Sequence, residues 1–446
     1  MMLKKLLKVF NFLILMFFAV IATAQDIDLL TVEEAVAIAL ENNYQIQIAK
    51  NQLEISELSI SPGFAGMLPS INAVASKSNN YQNITQARSD GTIVSLDNAK
   101  NNNLNYGVEL DWTIFDGLRM FARYDQLKEN KRLEETQLKF QVLGTASQVM
   151  ATYFDLVQQK RQLNSLDSTL VLSESRVELA NNKFSIGKAS KLELLNAQVD
   201  ENTDRTLYFR QQEIFKNTKT RLNELMGRDL KSDYTVLDFI VVDESLQLTI
   251  LEELAKSQNP QLLAEIINKR IAELELKQIK SGRLPLISAQ SGYLFNDSNS
   301  SLGFTTNNQA RGFNFGIAAS LNLFDGLNQS RNEQIAIINV DNSNVIIEQQ
   351  TQTILSQINT AYNTYLTNLR LMELEVINES IAKENLEITI EKYRIGTIPT
   401  LEFRTAQLNY INSVVRSASA VYEAKLSEIK LKELSGSLNL QMPMDN

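Results

Sequence analysis

The chain has 446 residues, 44% of them hydrophobic and 21% charged, with a formal net charge of −9 and neither Cys nor His. This is enough apolar material for a folded core. It excludes thiol and imidazole catalysis, Cys/His zinc sites and any disulfide framework. No cofactor or metal is expected, and the acidic balance argues against nucleic acid as a partner.

At the N-terminus, Lys4, Lys5 and Lys8 precede an almost wholly apolar run from Val9 to Ile21, and Ala22-Thr23-Ala24 forms a small-x-small cleavage site before Gln25. Residues 1–24 read as a signal peptide, because the apolar run falls short of the roughly 20 residues that a spanning helix needs. Cleavage there would leave a chain of net charge −12. No Cys follows the site, so no lipid anchor is expected there, and no later stretch is apolar enough to span a bilayer as a helix.

Residues 30–60 carry a helical pattern that opens on Thr31 with Glu33 and Glu34 in its first turn and ends at Pro62, Gly63 and Gly66. After Leu68-Pro69 the pattern changes to period two. In Leu104–Phe115 one face holds Leu104, Tyr106, Val108, Leu110, Trp112 and Ile114, and the other holds Asn105, Gly107, Glu109, Asp111 and Thr113. From Leu118 to Ile186 there is no Pro and one Gly, which predicts a very long helix. Along it, Leu163, Leu170, Val177 and Phe184 are seven apart, with Leu166 and Ala180 between, as in a coiled-coil seam. A tight turn at Gly187 leads into a returning helix over about 190–226, which Gly227 stops. Residues 228–247 link onward and have no clear assignment.

The same order then recurs. Lys183-Phe184-Ser185-Ile186-Gly187 and Leu192-Glu193 match Lys392-Tyr393-Arg394-Ile395-Gly396 and Leu401-Glu402, 209 residues on. Phe115-Asp116-Gly117-Leu118 matches Phe324-Asp325-Gly326-Leu327 at the same offset, and Leu68-Pro69 matches Leu284-Pro285 at 216. Two separate matches at one offset mark an internal duplication. The second alternating run has Phe313, Phe315, Ile317, Ala319, Leu321 and Leu323 on one face, opposite Asn314, Gly316, Ala318, Ser320 and Asn322. In the second long helix Leu374, Ile381, Ile388 and Ile395 keep the seven-residue step, and Leu408, Val415, Tyr422 and Ile429 keep it on the return. The expected organisation is a signal peptide (1–24), a first repeat (25–229), a linker (230–247), a second repeat (248–436) and a tail (437–446).

Alternation alone fits an ordinary half-buried sheet equally well. Two features favour a membrane: the apolar faces are large and aromatic, and the stretches 82–103 and 296–310, rich in Asn, Ser and Thr, read as surface loops of an outer-membrane barrel. Each strong run has about the 9–11 residues that a tilted strand needs to cross. Four such strands cannot close a barrel, and an open edge in lipid leaves costly unpaired backbone groups. Other copies of the chain must complete it: two copies give eight strands, whose interior side chains would fill, and three give twelve, which can leave a lumen; the small or polar inward residues favour an open bore.

On these residues the chain resembles the TolC-like outer-membrane efflux channel family. The resemblance rests on the duplicated helix–strand–strand–helix order, the Leu-Pro entries, the Phe-Asp-Gly exits and the Ile-Gly…Leu-Glu…Ala-Gln turns, and it covers essentially all of the mature chain. It implies a mixed α and β fold: a long antiparallel coiled-coil barrel, and a transmembrane β-barrel shared between the protomers of a homotrimer. The lipid-facing residues would be Leu104, Tyr106, Val108, Leu110, Trp112, Phe313, Phe315, Ile317 and Leu321. It further implies a helical tunnel from the outer membrane into the periplasm. The tunnel's tip would dock a periplasmic adaptor and an inner-membrane pump of RND, ABC or MFS type. The docking residues would be Gly187, Ala189, Ser190, Leu192, Gly396, Thr397, Thr400 and Leu401. The resemblance puts the gate at Glu402, the first acidic position after the second turn. The next, Thr405, is not acidic here. Glu193 falls where the family has an acid tied to an aromatic residue, here Tyr393. The expected function is a passive exit duct for efflux or type I secretion. A non-conducting coiled-coil scaffold or adhesin is the alternative, and an enzyme the weakest reading. Nothing in the sequence names the exported substrate.

Overall fold

In the computed structural model, residues 29–301 and 306–438 are described. The expected signal peptide and residues 439–446 of the expected tail lie outside the described residues. The elements in chain order are β1 (Leu29–Leu30), α1 (Val32–Asn42), α2 (Tyr44–Leu58), α3 (Pro62–Ala65), β2 (Ser70–Ala87), β3 (Ile93–Asp116), α4 (Arg119–Ser185), α5 (Lys191–Leu225), β4 (Thr235–Val236), α6 (Leu248–Gln258), α7 (Pro260–Lys280), β5 (Leu286–Ser300), β6 (Asn307–Ser320), α8 (Asn328–Arg394) and α9 (Thr400–Ser435). They form two compact units. One holds the chain up to Gln47, Phe140–Asn259 and everything from Ile354; the other holds Ile48–Lys139 and Pro260–Thr353. Among the described residues no helix is long and apolar enough to cross a membrane.

The first unit is helical. Thr31 opens α1 with a reciprocal capping box: its hydroxyl accepts from the Glu34 N–H at 3.2 Å, and its own N–H donates to the Glu34 carboxylate at 2.9 Å. The core gathers Ala35 and Ala39 of α1, Ala146, Val149, Tyr153 and Leu156 of α4, Leu222 at the end of α5 and Ile429 of α9, all essentially inaccessible. Small residues at 35, 39 and 146 let the backbones approach, and Tyr153 fills the remaining volume. Its hydroxyl donates to the Leu30 carbonyl at 2.9 Å.

The single helix expected over 30–60 is two. Asn43 breaks it by turning its side chain to the backbone. Its Oδ1 accepts from the Gln45 and Ile46 N–H groups, and its Nδ2 donates to the Leu225 carbonyl at 2.8 Å. Asn259 interrupts the second copy in the same manner, with Nδ2 on the Leu434 carbonyl at 2.8 Å. Each Asn thus satisfies a terminal carbonyl of a returning helix, a group that no intrahelical N–H reaches. Gly227 and Gly436 close these corners at positive φ, where a Cβ would lie 2.5 Å from the Asn42 carbonyl and 2.8 Å from that of Gln258.

The segment 230–247 also finds its place. Thr235–Val236 pairs in parallel with Leu29–Leu30. Tyr365 donates its hydroxyl to the Asp243 carbonyl at 2.5 Å. The Ser245 hydroxyl and N–H, with Lys432 at 3.1 Å, hold the Asp243 carboxyl down at about 2.

The seam of α4 keeps the heptad step, and Leu166 and Ala180 are buried in it as expected, but the other expected positions are not its centre. Its buried residues are Gln162, Leu166, Thr169, Ser173, Arg176 and Ala180, whereas Leu163, Leu170 and Val177 are half-buried and Phe184 is exposed. On α8 the stripe of Leu374, Ile381, Ile388 and Ile395 is exposed. Ser173 and Arg176 of the α4 seam have side-chain partners on α5 and α9, described below.

The second unit carries an antiparallel four-stranded sheet in the order β2-β3-β5-β6. Its strands are longer than expected. The stretches read as loops, 82–103 and 296–310, are largely strand: β2 pairs as far as Ala87 with Ile93, and β5 as far as Asn299 with Asn307. An antiparallel ladder is made by backbone groups and tolerates Asn, Ser and Thr; only the hairpin tip needs turn residues. Asp90-Gly91 supplies one: Gly91 has φ +84°, and Asp90 Oδ1 accepts from the Thr92 N–H at 3.0 Å. Composition had reported a polar environment, not a conformation. At its other end β6 stops at Ser320, so Leu321 lies just beyond the strand.

Candidate functional site

Register decides what each face of the sheet presents. Leu104 stands across from Lys77 and Asp297, Tyr106 from Ala75 and Phe295, Val108 from Ala73 and Tyr293, and Leu110 from Ile71 and Ser291. Tyr293 in turn faces Phe313, Ser291 faces Phe315, and Ala289 lies between Trp112 and Ile317. Partners in register share a face, so these residues line one face, apolar apart from Ser291 and from Lys77 and Asp297 beside Leu104. Tyr106 and Phe295 stack on it with centroids 4.9 Å apart. Phe315 is 82% exposed. The Trp112 indole donates to the Met67 carbonyl at 2.9 Å. The opposite face carries Ser70, Asn72, Asn105, Gly107, Glu109, Asp111, Gln290, Gly292, Asn314 and Gly316. Gly107 admits its neighbour strand closely, since a Cβ would lie 2.3 Å from the Tyr293 carbonyl.

The two Gly turns of the helical unit are built alike. Helix α4 ends at Ser185, Gly187 takes φ +73°, and the Lys188 N–H reaches back to the Lys183 carbonyl at 2.8 Å. In the second copy Gly396 takes φ +77° and Thr397 bonds the Lys392 carbonyl at 3.0 Å. Both are Schellman endings, with Gly at the position where a Cβ would strain the backbone. Ser190 then caps α5, its hydroxyl accepting from the Glu193 N–H at 3.2 Å. Around these turns Leu192 and Leu401 are largely exposed, as are Gly187, Gly396 and Thr397, while Ala189 and Thr400 are half-buried.

The candidate gate residues divide. Glu402 and Thr405 are exposed on α9; Glu402 has no partner among the described residues, and the Thr405 hydroxyl donates to the Leu401 carbonyl. Glu193 makes no hydrogen bond to Tyr393 among the described residues. Its carboxylate accepts from the Thr400 hydroxyl at 3.3 Å. Tyr393 is buried against Leu386, Phe403 and Ala406, stacks on Phe403 at 4.9 Å and lies under Lys183 Nζ at 5.0 Å. Its hydroxyl has no hydrogen-bond partner among the described residues.

Beside this cluster lies a buried ionic network that the sequence reading missed. Arg404 grips Asp204 with both terminal nitrogens, at 2.7 and 2.8 Å. Its Nε lies 3.6 Å from Asp200, which also pairs with Arg176. Ser173 donates to Asp204, and Gln407 bonds both Ser173 and Arg404. Asp204 is wholly inaccessible and Arg176 almost so. A signal was present: Ala197, Asp204 and Gln211 are seven apart and all buried, as are Arg404 and Ile411. A search for apolar heptads passes over such positions.

A sheet with one apolar and one polar face, carried on long paired helices with matched turns, defines the class of outer-membrane channels. The chain belongs to the outer membrane efflux protein family, whose sequence model matches residues 35–228 and 251–437. It is 22% identical over 414 residues to the outer membrane protein TolC of Vibrio cholerae, covering 91% of each chain. It is 19% identical to the proteases secretion protein PrtF of Dickeya chrysanthemi, covering 92% of this chain and 88% of that protein. Among solved structures it matches the Campylobacter jejuni CmeC outer membrane channel with a TM-score of 0.75 at 19% identity, over 92% of this chain and 86% of that one. It matches the outer-membrane channel OprN with a TM-score of 0.72 at 16% identity, over 91% and 90%. Its place is the outer membrane.

Proposed function

We propose that the chain is the passive exit duct of a tripartite efflux or type I secretion system, working as a homotrimer. One observation carries this: the sheet has one largely apolar and one largely polar face, and both its edges, β2 and β6, are unpaired among the described residues. Lipid would cover the apolar face, and two further copies would supply the missing edges. The exposed heptad stripe on α8 would then pack on a neighbouring copy, and the helices would form the periplasmic tunnel. Energy would come from an inner-membrane pump reached through a periplasmic adaptor. The Gly turns fit that docking because they are exposed and lined by small residues. Crosslinkers at Ser190 and Thr400 are expected to capture the adaptor in cell envelopes; capture only from sites near the strands would exclude this tip.

Glu402 is the proposed selectivity acid. Its side chain is exposed while Arg404, two residues on, is turned inward to Asp204, so no cation among the described residues neutralises it. Three such carboxylates around one axis would repel one another and attract cations. In planar bilayers the protein is expected to conduct in discrete steps. Glu402→Ala is expected to lower cation preference and block by divalent cations, with the trimer intact. Unchanged selectivity in the variant would place the ring elsewhere; a folded trimer without steps would favour a scaffold.

A further inference from the structure

Where the strands give way to the long helices, the second unit encloses a cavity of about 680 Å³, open to solvent and bounded by Thr113 and Ser320 of the polar sheet face. Arg119 and Arg123, one turn apart at the start of α4, line it, as does Asn332 of α8. Neither guanidinium has an ion-pair partner among the described residues. Several other cations of the unit are paired: Arg283 is held bidentately by Glu333, Arg132 pairs with Glu129, Arg270 with Glu273 and Lys131 with Glu57. The one carboxylate on the wall, Asp116, accepts from the Met120 N–H at 3.1 Å. Two like charges one turn apart repel each other, and the cationic residues of α4's first turns stand at the positive end of its dipole. A chain of net charge −9 has thus placed two uncompensated cations against an open cavity of a size usual for small ligands.

We propose that this cavity is a subsite for small soluble anions bearing phosphate, sulfonate or carboxylate groups, bound by Arg119 and Arg123 as they pass along the polar face. Guanidinium groups present paired N–H donors that match such oxygens, and Asn332 adds a neutral amide. In a trimer the site repeats three times around the bore. The assignment rests on reading the polar face as the wall of the conduit.

Pyrophosphate serves as the probe, at constant ionic strength. In single-channel recordings it is expected to interrupt the wild-type current at millimolar concentration. The double variant Arg119→Gln/Arg123→Gln, with block measured relative to its own unblocked current, is expected to need at least tenfold more. Equal block of both proteins, or none of either, overturns the proposal. Thermal melting in detergent tests the site without conduction. Pyrophosphate is expected to raise the wild-type midpoint more than an equal ionic strength of chloride, and to leave the variant's unmoved. If melting responds in this way but no current flows, the subsite stands and the duct reading fails. If only phosphatidylglycerol in the micelle raises the midpoint, the pair contacts lipid headgroups and the proposal is overturned.

Discussion

Replacing Arg404 by alanine is expected to destabilise the tip of the helical unit by about 3–5 kcal/mol, the usual cost of removing one partner of a buried ion pair. The charge it abandons is Asp204, which is wholly inaccessible and would keep only the Ser173 hydroxyl. Removing both charges is a different experiment. Arg404→Met with Asp204→Leu replaces the pair by apolar groups, which is often neutral or stabilising. Melting in detergent and amide exchange over 400–410 measure both variants. The ordering is the test: a single variant as stable as wild type would show that the pair contributes nothing, and a double variant as damaged as the single would assign the loss to packing. The network joins α9 to α4 and α5, so its weakening is expected to speed exchange in all three turn-proximal segments together.

Leu110→Arg is expected to cost about 2–4 kcal/mol if it lies near the bilayer midplane. Leu110 sits on the second strand of the sheet, between Ile71 and Ser291 on the apolar face. Asn105→Arg, flanked by Ser76 and Asn296 on the polar face, is expected to cost far less. Reversible unfolding from lipid vesicles compares the two. Equal losses would mean that the two faces see the same solvent, which a membrane sheet excludes.

Much of this was legible in the sequence because it depends on local rules. A Gly between two helical patterns marks an αL ending, and Gly187 and Gly396 both adopt it. Thr31 ahead of Glu33 and Glu34 signals an N-cap, and Thr31 caps α1. Strict alternation fixes strand faces, and the register brings Leu104, Tyr106, Val108 and Leu110 onto the face shared with Phe313 and Phe315. What was not legible depends on partners distant in sequence. Asn43 breaks a helix because Leu225 offers it a carbonyl, and nothing near Asn43 announces that. The seam of α4 follows Ser173 and Arg176, not Leu170 and Val177, because Asp200 and Asp204 stand opposite. The polar hairpins kept their ladders because backbone pairing does not consult side-chain polarity. Glu193 was placed with Tyr393 by resemblance alone, and the contact it makes is with the Thr400 hydroxyl.

The central claim is that this sheet is one third of a barrel, with β6 of one copy joined to β2 of the next. The chain has no Cys, so introduced thiols report without background. Phe313→Cys on β6, combined in turn with single Cys substitutions along 71–77 of β2, is to be crosslinked in native outer membranes and separated under denaturing conditions. At the facing positions the expected result is a ladder of one, two and three linked chains that ends at three. Monomers at every position, or a ladder that stops at two or climbs past three, would contradict it.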